Sequence, residues 1–335
     1  MDVTRFGTAS IFQKIGCGLV FSLITPFILS GTQQLYSQEK KTAKTELQTG
    51  KQVVEQVNVI EGGEMLGRID WENMVIYSVG DGVMPPDSIS PAQARVRAKR
   101  AATDEAYGRI IEMANEVRVD AESTTRNYIN ENRVVQTKVT GMVKNAEITE
   151  VKQFDDGSYQ LMMRMPMIGA NGLGQALLPV EMERVRKVKV VSTTKRNDII
   201  SKSEISPLPT NPDGNMQKVE KAENYTGLIV VAQGLDAKPA MYPRVIKESG
   251  NAVYDVTNAN PNAAVENGLV AYRKSLVAAE QVARIGNNPL TIKAQKVSGK
   301  YNADLVISDE DAQKIQDADS KSGILGEAKV VVVID

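Results

Sequence analysis

The chain contains no histidine, and its single cysteine, Cys17, lies close to the amino terminus. Without imidazole groups, the sequence excludes Ser-His and Cys-His catalytic pairs and zinc sites that use histidine ligands. If Cys17 is removed with an export signal, no disulfide can form, and the hydrophobic core alone must hold the fold. Aromatic residues make up only 5% and the formal net charge is -1, so no overall field favours nucleic acid or an anionic membrane.

An apolar run from Ile15 to Gly31 stands between a basic start and a polar stretch. Residues 1–37 therefore predict an export signal peptide, with cleavage near Gly31 or Ser37. The apolar run is about 17 residues long, at the lower edge of what spans a bilayer, so an uncleaved anchor is the alternative and a buried core helix the third possibility. Cys17 lies at the start of the apolar run instead of after it, so the segment lacks the lipidation box of a lipoprotein.

The rest of the chain has the composition of a globular protein, with 42% apolar and 24% charged residues, and is long enough for about two domains. Residues 38–57 are polar and predict a flexible leader. Residues 58–169 predict a first domain, 170–222 a linker rich in glycine, charge and proline, and 223–335 a second domain. The predicted fold class is α+β: a long helix packed on an antiparallel sheet, followed by a mixed α/β domain rich in strands.

The clearest helix signal follows a loop rich in glycine and proline. Ser90 is a natural N-cap and Pro91 suits a first helical turn, which predicts a helix from here to about Asn115. Alanine allows a helix to lie close to a sheet, and we expect the small face of this helix to pack there. That face is formed by Ala94, Ala98, Ala101, Ala102, Ala106, Ile110 and Ala114.

Alternation of apolar and polar residues predicts the strands. In the first domain they are predicted at 74–79, 116–121, 133–144, 146–154 and 159–165, with a hairpin turn at Asp155-Asp156-Gly157. In the second domain, strands are predicted at 225–234, 243–247, 252–255, 269–274, 290–297, 304–307 and 328–334. The last of these is wholly apolar, which suits the centre of a sheet. Helices are predicted at 278–285 and, after the N-cap Ser308, at 309–317.

Two runs of one residue type have a structural and a functional interpretation. Methionines alternate or adjoin at Met162, Met163, Met165 and Met167, which predicts a core strand or, alternatively, a partner-facing edge. The basic residues Arg184, Arg186, Lys187 and Lys189 interleave with valines. This pattern predicts an exposed strand, with a short helix near Val185 to Val191 or a contact with a polyanion as alternatives.

Motifs that carry chemistry are weak. No phosphate-binding loop and no Gly-x-Ser-x-Gly motif occurs. Ser-Lys pairs occur in the predicted linker, as Ser192 with Lys195 and as Ser201-Lys202. A group of acids near the carboxyl end lacks calcium-loop spacing, and helix capping explains it: Asp304, Asp309, Glu310, Asp311, Asp317 and Asp319. The sequence therefore predicts no catalytic, cofactor-binding or metal-binding residue, and no cofactor.

An ordered set of segments marks the first domain. They are VGDGVMPP (79–86), the alanine-rich helix 92–119, ESTTRNYI (122–129), VVQTKVTGMVKNAEI (134–148) and DDGSYQLMMRMPMIG (155–169). In this order and spacing, the first domain resembles the bacterial envelope lipoprotein family with the Lpp-twenty domain, and also the amino-terminal domain of flagellar assembly protein T. The resemblance implies an α+β fold, export and no known enzymatic site.

Together, these features predict a non-enzymatic exported protein, periplasmic or outer-membrane-associated, that binds or assembles with other envelope components. The expected partners are other envelope proteins, with peptidoglycan or the flagellar basal body as variants. No nucleic acid is expected, and the membrane is contacted only through an uncleaved amino-terminal segment. One alternative is a cell-wall hydrolase using carboxylates or a Ser-Lys pair, which needs a concave pocket with converging acids of raised pKa. Another is a small-molecule or lipid carrier, which needs an apolar cavity of several hundred Å3.

Fractionating cells and sequencing the amino terminus of the mature protein tests the export prediction. We expect the protein in the periplasmic or outer-membrane fraction, beginning after Gly31 or Ser37, because the export machinery reads the apolar run and a peptidase then removes it. A chain that keeps Met1 and is free in the cytosol would contradict export and the envelope assignment with it.

Overall fold

The computed structural model describes residues 54–56, 66–87, 90–200 and 224–335, of which 54–56 and 191–200 as backbone only. The predicted signal peptide and most of the predicted leader lie outside these residues. All the described residues belong to one compact unit, Lys51–Asp335. None of the described helices is long and apolar enough to cross a membrane.

Five strands form one antiparallel sheet, in the order β1-β2-β3-β5-β4. They are β1 (Val54–Gln56), β2 (Gly67–Asp70), β3 (Val75–Gly82), β4 (Glu147–Gln153) and β5 (Tyr159–Pro166). β1 belongs to the predicted leader, so the end of that segment is a strand. The methionines of β5 confirm the prediction of a core strand, because Met163 and Met165 are fully buried.

Four helices accompany this sheet: α1 (Pro91–Glu116), α2 (Thr125–Glu131), α3 (Arg133–Lys144) and α4 (Leu173–Ile200). α1 begins as predicted, because the side chain of Ser90 accepts a hydrogen bond from the Gln93 amide at 3.2 Å. Its buried face is Ala94, Ala98, Ala102, Ala106, Ile110, Met113 and Ala114. The prediction was wrong for Ala101, which is exposed because the face drifts around a helix with 3.6 residues per turn.

α1 lies unusually close to β3, because neither element has a large side chain at the contact. A methyl group at Gly80 would lie 2.0 Å from the Ala102 carbonyl oxygen, and one at Gly82 would lie 1.9 Å from that of Ala98. Both distances are impossible, so only glycine fits at these strand positions. The buried Ser78 hydroxyl also donates to the Ala106 carbonyl, at 3.0 Å.

The strand predicted at 133–144 is wrong, because these residues form α3. Asn132 caps the helix by accepting from the amides of Val134 and Val135. Its valines alternate with polar residues, as in a strand, but Val135, Val139 and Val143 also recur every fourth residue and are the ones that are buried. The predicted strand at 116–121 is wrong as well, since it amounts to a single bridge between Arg118 and Thr124.

The interval predicted as a linker, 170–222, begins with a helix, because residues 173–200 form α4. Its buried side chains include Leu173, Leu177 and Glu181, which recur every fourth residue. The basic run from Arg184 to Lys189 therefore lies on a helix, as the alternative interpretation has it, and the predicted exposed strand there is wrong. The proline-rich residues 203–215 lie outside the described ranges.

The second half contains two sheets. The parallel sheet has the order β10-β6-β13-β9, and its strands are β6 (Gly227–Val231), β9 (Ala271–Arg273), β10 (Pro289–Lys293) and β13 (Val330–Val333). The mixed sheet has the order β11-β12-β7-β8, and its strands are β7 (Val245–Lys247), β8 (Ala252–Tyr254), β11 (Lys296–Ser298) and β12 (Asp304–Ile307). The predicted strand 290–297 is thus two strands in different sheets. The valine-rich β13 is central, as predicted.

Helices of the second half are α5 (Pro261–Asn267), α6 (Leu276–Glu280) and α7 (Asp309–Ser322), with a short 3-10 turn at Ala283–Ile285. Ser308 caps α7 as predicted, accepting from the Asp311 amide at 3.0 Å. The predicted α+β class, with a long helix on an antiparallel sheet followed by a strand-rich mixed part, is confirmed.

Backbone contacts join the two halves. The amides of Met241 and Tyr242 donate to the carbonyls of Arg118 and Val119, at 2.9 and 2.8 Å. The rings of Trp71 and Tyr272 meet edge to face, with centroids 6.1 Å apart. One hydrophobic core therefore runs through both halves.

Replacing Ala102 with leucine tests the close contact between α1 and β3. We expect the free energy of unfolding to fall by about 1–3 kcal/mol, because the larger side chain must push the helix away from the sheet. Ala101→Leu is the matched control, since its side chain points to solvent and should change stability by less than about 0.5 kcal/mol. Urea unfolding measures the stability of both variants. Equal stabilities would show that the buried face of α1 is wrongly assigned.

Candidate functional site

A charged cleft of about 410 Å3 opens between α4, the loop that follows α1, and the hairpin of β7 and β8. Residues from distant parts of the sequence line it. They are Asp120, Ala121, Glu122, Glu181, Arg184, Val185, Val188, Lys189, Arg244, Gly250, Asn251, Ala252 and Asp255.

Asp120 organises the loop that forms one wall. Its Oδ1 atom accepts hydrogen bonds from the backbone amides of Glu122 and Ser123, both at 2.7 Å. Its Oδ2 atom lies 2.9 Å from Nη1 of Arg184. The carboxylate therefore ties the loop to α4.

The hydroxyl of Tyr128 joins two acids at the floor of the cleft. It donates a hydrogen bond to Oε2 of Glu181, and it lies 3.4 Å from Oδ2 of Asp120. Arg184 completes the group, because its Nη1 atom donates to the Tyr128 oxygen at 2.8 Å. Three helix or loop segments thus meet at one phenol group.

Two further ion pairs border the cleft. Arg244 forms an ion pair with Asp304, and its Nε atom lies 3.1 and 3.0 Å from the two carboxylate oxygens. Lys189 lies 2.8 Å from Oδ2 of Asp255. In each pair the acid is buried and the cation is partly exposed. The buried carboxylate therefore holds the cationic side chain in place at the edge of the cleft.

Burial shifts the pKa values of the floor residues. Burial and the neighbouring Asp120 raise the pKa of Glu181 from its usual 4.5 to about 7, against the opposing effects of Tyr128 and Arg184. Burial, with Glu181 and Asp120 nearby, raises the pKa of Tyr128 far above its usual value, so the phenol stays protonated. Burial also raises the pKa of Asp304, and the hydrogen bonds from Arg244 oppose this.

An apolar groove of about 580 Å3 lies between α1 and α3, with α2 at one end. Val139 and Val143 are buried in its floor, whereas Ile111 on its wall remains 47% exposed. The groove is lined by Tyr107, Ile111, Asn115, Ile129, Gln136, Val139, Thr140, Val143 and Lys144.

The sequence predicted no site residue, and the described residues contain no group of three or more acids or cysteines that could hold a metal ion. Of the carboxyl-terminal acids, Asp309, Glu310 and Asp311 stand in the first turn of α7. Asp304 is the buried ion-pair partner of Arg244, and Arg244 lines the cleft. Ser192 and Lys195 fall where only backbone is described, and Ser201-Lys202 lies outside the described residues.

Sequence reasoning missed the cleft. The sequence patterns predict Asp120 in a strand and Glu181 and Arg184 in a linker, and they assign Tyr128 to no element. One available signal was the pair Glu181 and Arg184, because an acid among apolar residues of an amphipathic helix, three positions before an arginine, is typical of a buried ion pair.

One family model matches the chain: the second domain of Treponema pallidum Tp0624, over residues 227–335. The match begins at the first residue of β6 and covers both sheets of the second half. It includes Arg244 and Asp255 but not Asp120 or Glu181, so the matched region supplies only part of the cleft. No curated protein matches the chain.

The pH dependence of stability tests the environment of Glu181. Because its pKa is raised in the fold, its stabilising contribution is complete below about pH 4.5 and is lost as the pH rises through about 7. Relative to Glu181→Gln, we expect wild type to lose up to about 3 kcal/mol of unfolding free energy between pH 4.5 and 8. Glu183→Gln, at an exposed position of α4, should show no such difference. Urea unfolding at several pH values in this range measures the difference. Parallel pH profiles of the unfolding free energy for wild type and Glu181→Gln would contradict the assignment of Glu181 as a buried acid.

Proposed function

We propose that this chain is an exported, non-enzymatic envelope protein that binds another envelope protein, taking an amphipathic helix of that partner into the groove between α1 and α3. The partner is another component of the periplasm or outer membrane, and the flagellar basal body is one version of it. The export pattern of residues 1–37 and the resemblance of the first domain support the envelope assignment.

The observation that carries the proposal is the spacing of the groove walls. Tyr107, Ile111 and Asn115 recur every fourth residue on α1, and Gln136, Thr140 and Lys144 do so on α3. Rows at this spacing form the ridges and grooves through which helices pack, so the walls suit a third helix. Each wall extends over about two helical turns, or ~12 Å, which is enough for anchors at i, i+4 and i+7.

The charge at one end of the groove favours a helix, rather than an acyl chain, as the ligand of the groove. Lys144 forms no ion pair with any residue that the structure describes, and it would meet an acidic residue of the partner helix. The walls also carry Asn115, Gln136 and Thr140, which pair better with a peptide than with a hydrocarbon tail. The groove is large enough for the lipid-carrier alternative. However, Ile111 on its wall is exposed, so a lipid tail bound there would remain in contact with water.

The hydrolase alternative rests on one specific observation, the convergence of Glu181 and Asp120 in the charged cleft with a raised pKa at Glu181. Two-carboxylate hydrolysis needs one acid free to donate a proton and one free to act as base or nucleophile. Asp120 already accepts two backbone amides and faces Arg184, and Glu181 already accepts from Tyr128. This occupation of both carboxylates favours binding over catalysis.

Replacing Ile111 with lysine tests the groove. The side chain is exposed, so the fold should persist, but a charge in the centre of the interface should weaken partner capture by about tenfold or more. Val96→Lys is the matched control, because Val96 is also an exposed apolar residue of α1, 69% exposed, and lies outside the groove.

The measurement is quantitative co-purification from envelope extracts, with thermal unfolding to confirm that both variants fold. A protein recovered by wild type and by Val96→Lys, but lost with Ile111→Lys, supports the proposal. Equal recovery by both variants, or no specific protein with wild type, contradicts it.

A further inference from the structure

We propose that the charged cleft is a second binding site, which takes a carboxylate-bearing peptide through unused N–H groups of Arg184 and Arg244. This inference is independent of the groove, because the two surfaces share no lining residue.

In the ion pairs of Arg184 and Arg244, the cation is partly exposed and the acid is buried. The side chains of Arg184 and Arg244 are 43% and 37% exposed, whereas those of their partners Asp120 and Asp304 are 9% and 1% exposed. The exposed parts of these two ion pairs are therefore guanidinium groups, while Glu122 is an exposed acid on the same cleft. Since the buried acids already fix both side chains, binding costs little additional side-chain ordering.

Each of the two guanidinium groups has N–H donors that make no hydrogen bond to the described residues. Arg184 uses Nη1 for Asp120, Ser123 and Tyr128, while its Nε and Nη2 atoms make no hydrogen bond to another described residue. Arg244 uses Nε and Nη2 for Asp304, while Nη1 makes none to the described residues. A carboxylate is the natural partner for the planar donor fork of arginine.

The charge balance favours a carboxylate over a phosphate. Four acids, Asp120, Glu122, Glu181 and Asp255, line the cleft together with three bases, Arg184, Lys189 and Arg244, so the acids exceed the bases by one. A phosphate carries close to two negative charges at neutral pH and would be repelled by the acids beneath the cations more than a carboxylate would. The raised pKa of Glu181 removes part of the negative charge from the floor, which further helps a single anion.

The walls suit a peptide backbone. Val185 and Val188 of α4, together with Ala121 and Ala252, also line the cleft, so apolar groups accompany the charged ones. A volume of about 410 Å3 accommodates a short segment and not a folded domain.

Fluorescence anisotropy with a labelled peptide of alternating glycine and glutamate tests the proposal, using the full mature protein. We expect wild type to bind this peptide and to lose binding when glutamine replaces glutamate. The double variant Arg184→Lys with Arg244→Lys keeps the charges that Asp120 and Asp304 need but loses the spare fork donors, so its affinity should fall about tenfold.

Arg186→Lys is the matched control on the same helix, outside the cleft, and should bind like wild type. If the double variant unfolds, Arg244→Lys alone should weaken binding in the same direction. The proposal is overturned if the glutamine peptide binds equally well or if wild type fails to bind the glutamate peptide. It is overturned equally if the folded arginine variants bind normally, or if inorganic phosphate displaces the label better than unlabelled glutamate peptide does.

Discussion

The contact of α1 with β3 fixes the geometry on which the other surfaces depend. Gly80 and Gly82 have no side chain where the helix backbone passes, and Ala98 and Ala102 contribute only methyl groups. Because glycine alone fits on the strand side, the distance and rotation of the helix are set with little freedom. The position of α1 in turn determines where the segments that pack against it or follow it in the chain can lie.

Both candidate surfaces follow from that placement. With its small face against the sheet, α1 turns Tyr107 and Ile111 towards α3, and the space between the two helices is the apolar groove. The carboxyl end of α1 leads into the loop of Asp120, where backbone hydrogen bonds to Met241 and Tyr242 hold it against the second half. The charged cleft therefore forms where the halves of one compact unit meet.

Local signals were sufficient for part of the fold. The cap at Ser90 and the valines of β13 could be read from neighbouring residues, because capping and burial patterns are short-range. α3 could not, because its valines fit both a strand and a helix, and only packing against α1 decides between them. The cleft was out of reach for a different reason: Tyr128, Glu181 and Arg244 are distant in sequence and meet only through tertiary contacts.

The central claim is that a partner covers the groove in the envelope, and site-specific photo-crosslinking in living cells tests it most directly. Thr140 and Thr137 are both exposed on α3 and both bond back to a carbonyl one turn earlier, but only Thr140 lines the groove. With a photoreactive residue at Thr140, the account predicts a crosslink to a discrete envelope protein that is absent or much weaker from Thr137. No crosslink from Thr140, or equal crosslinking from both positions, would contradict it.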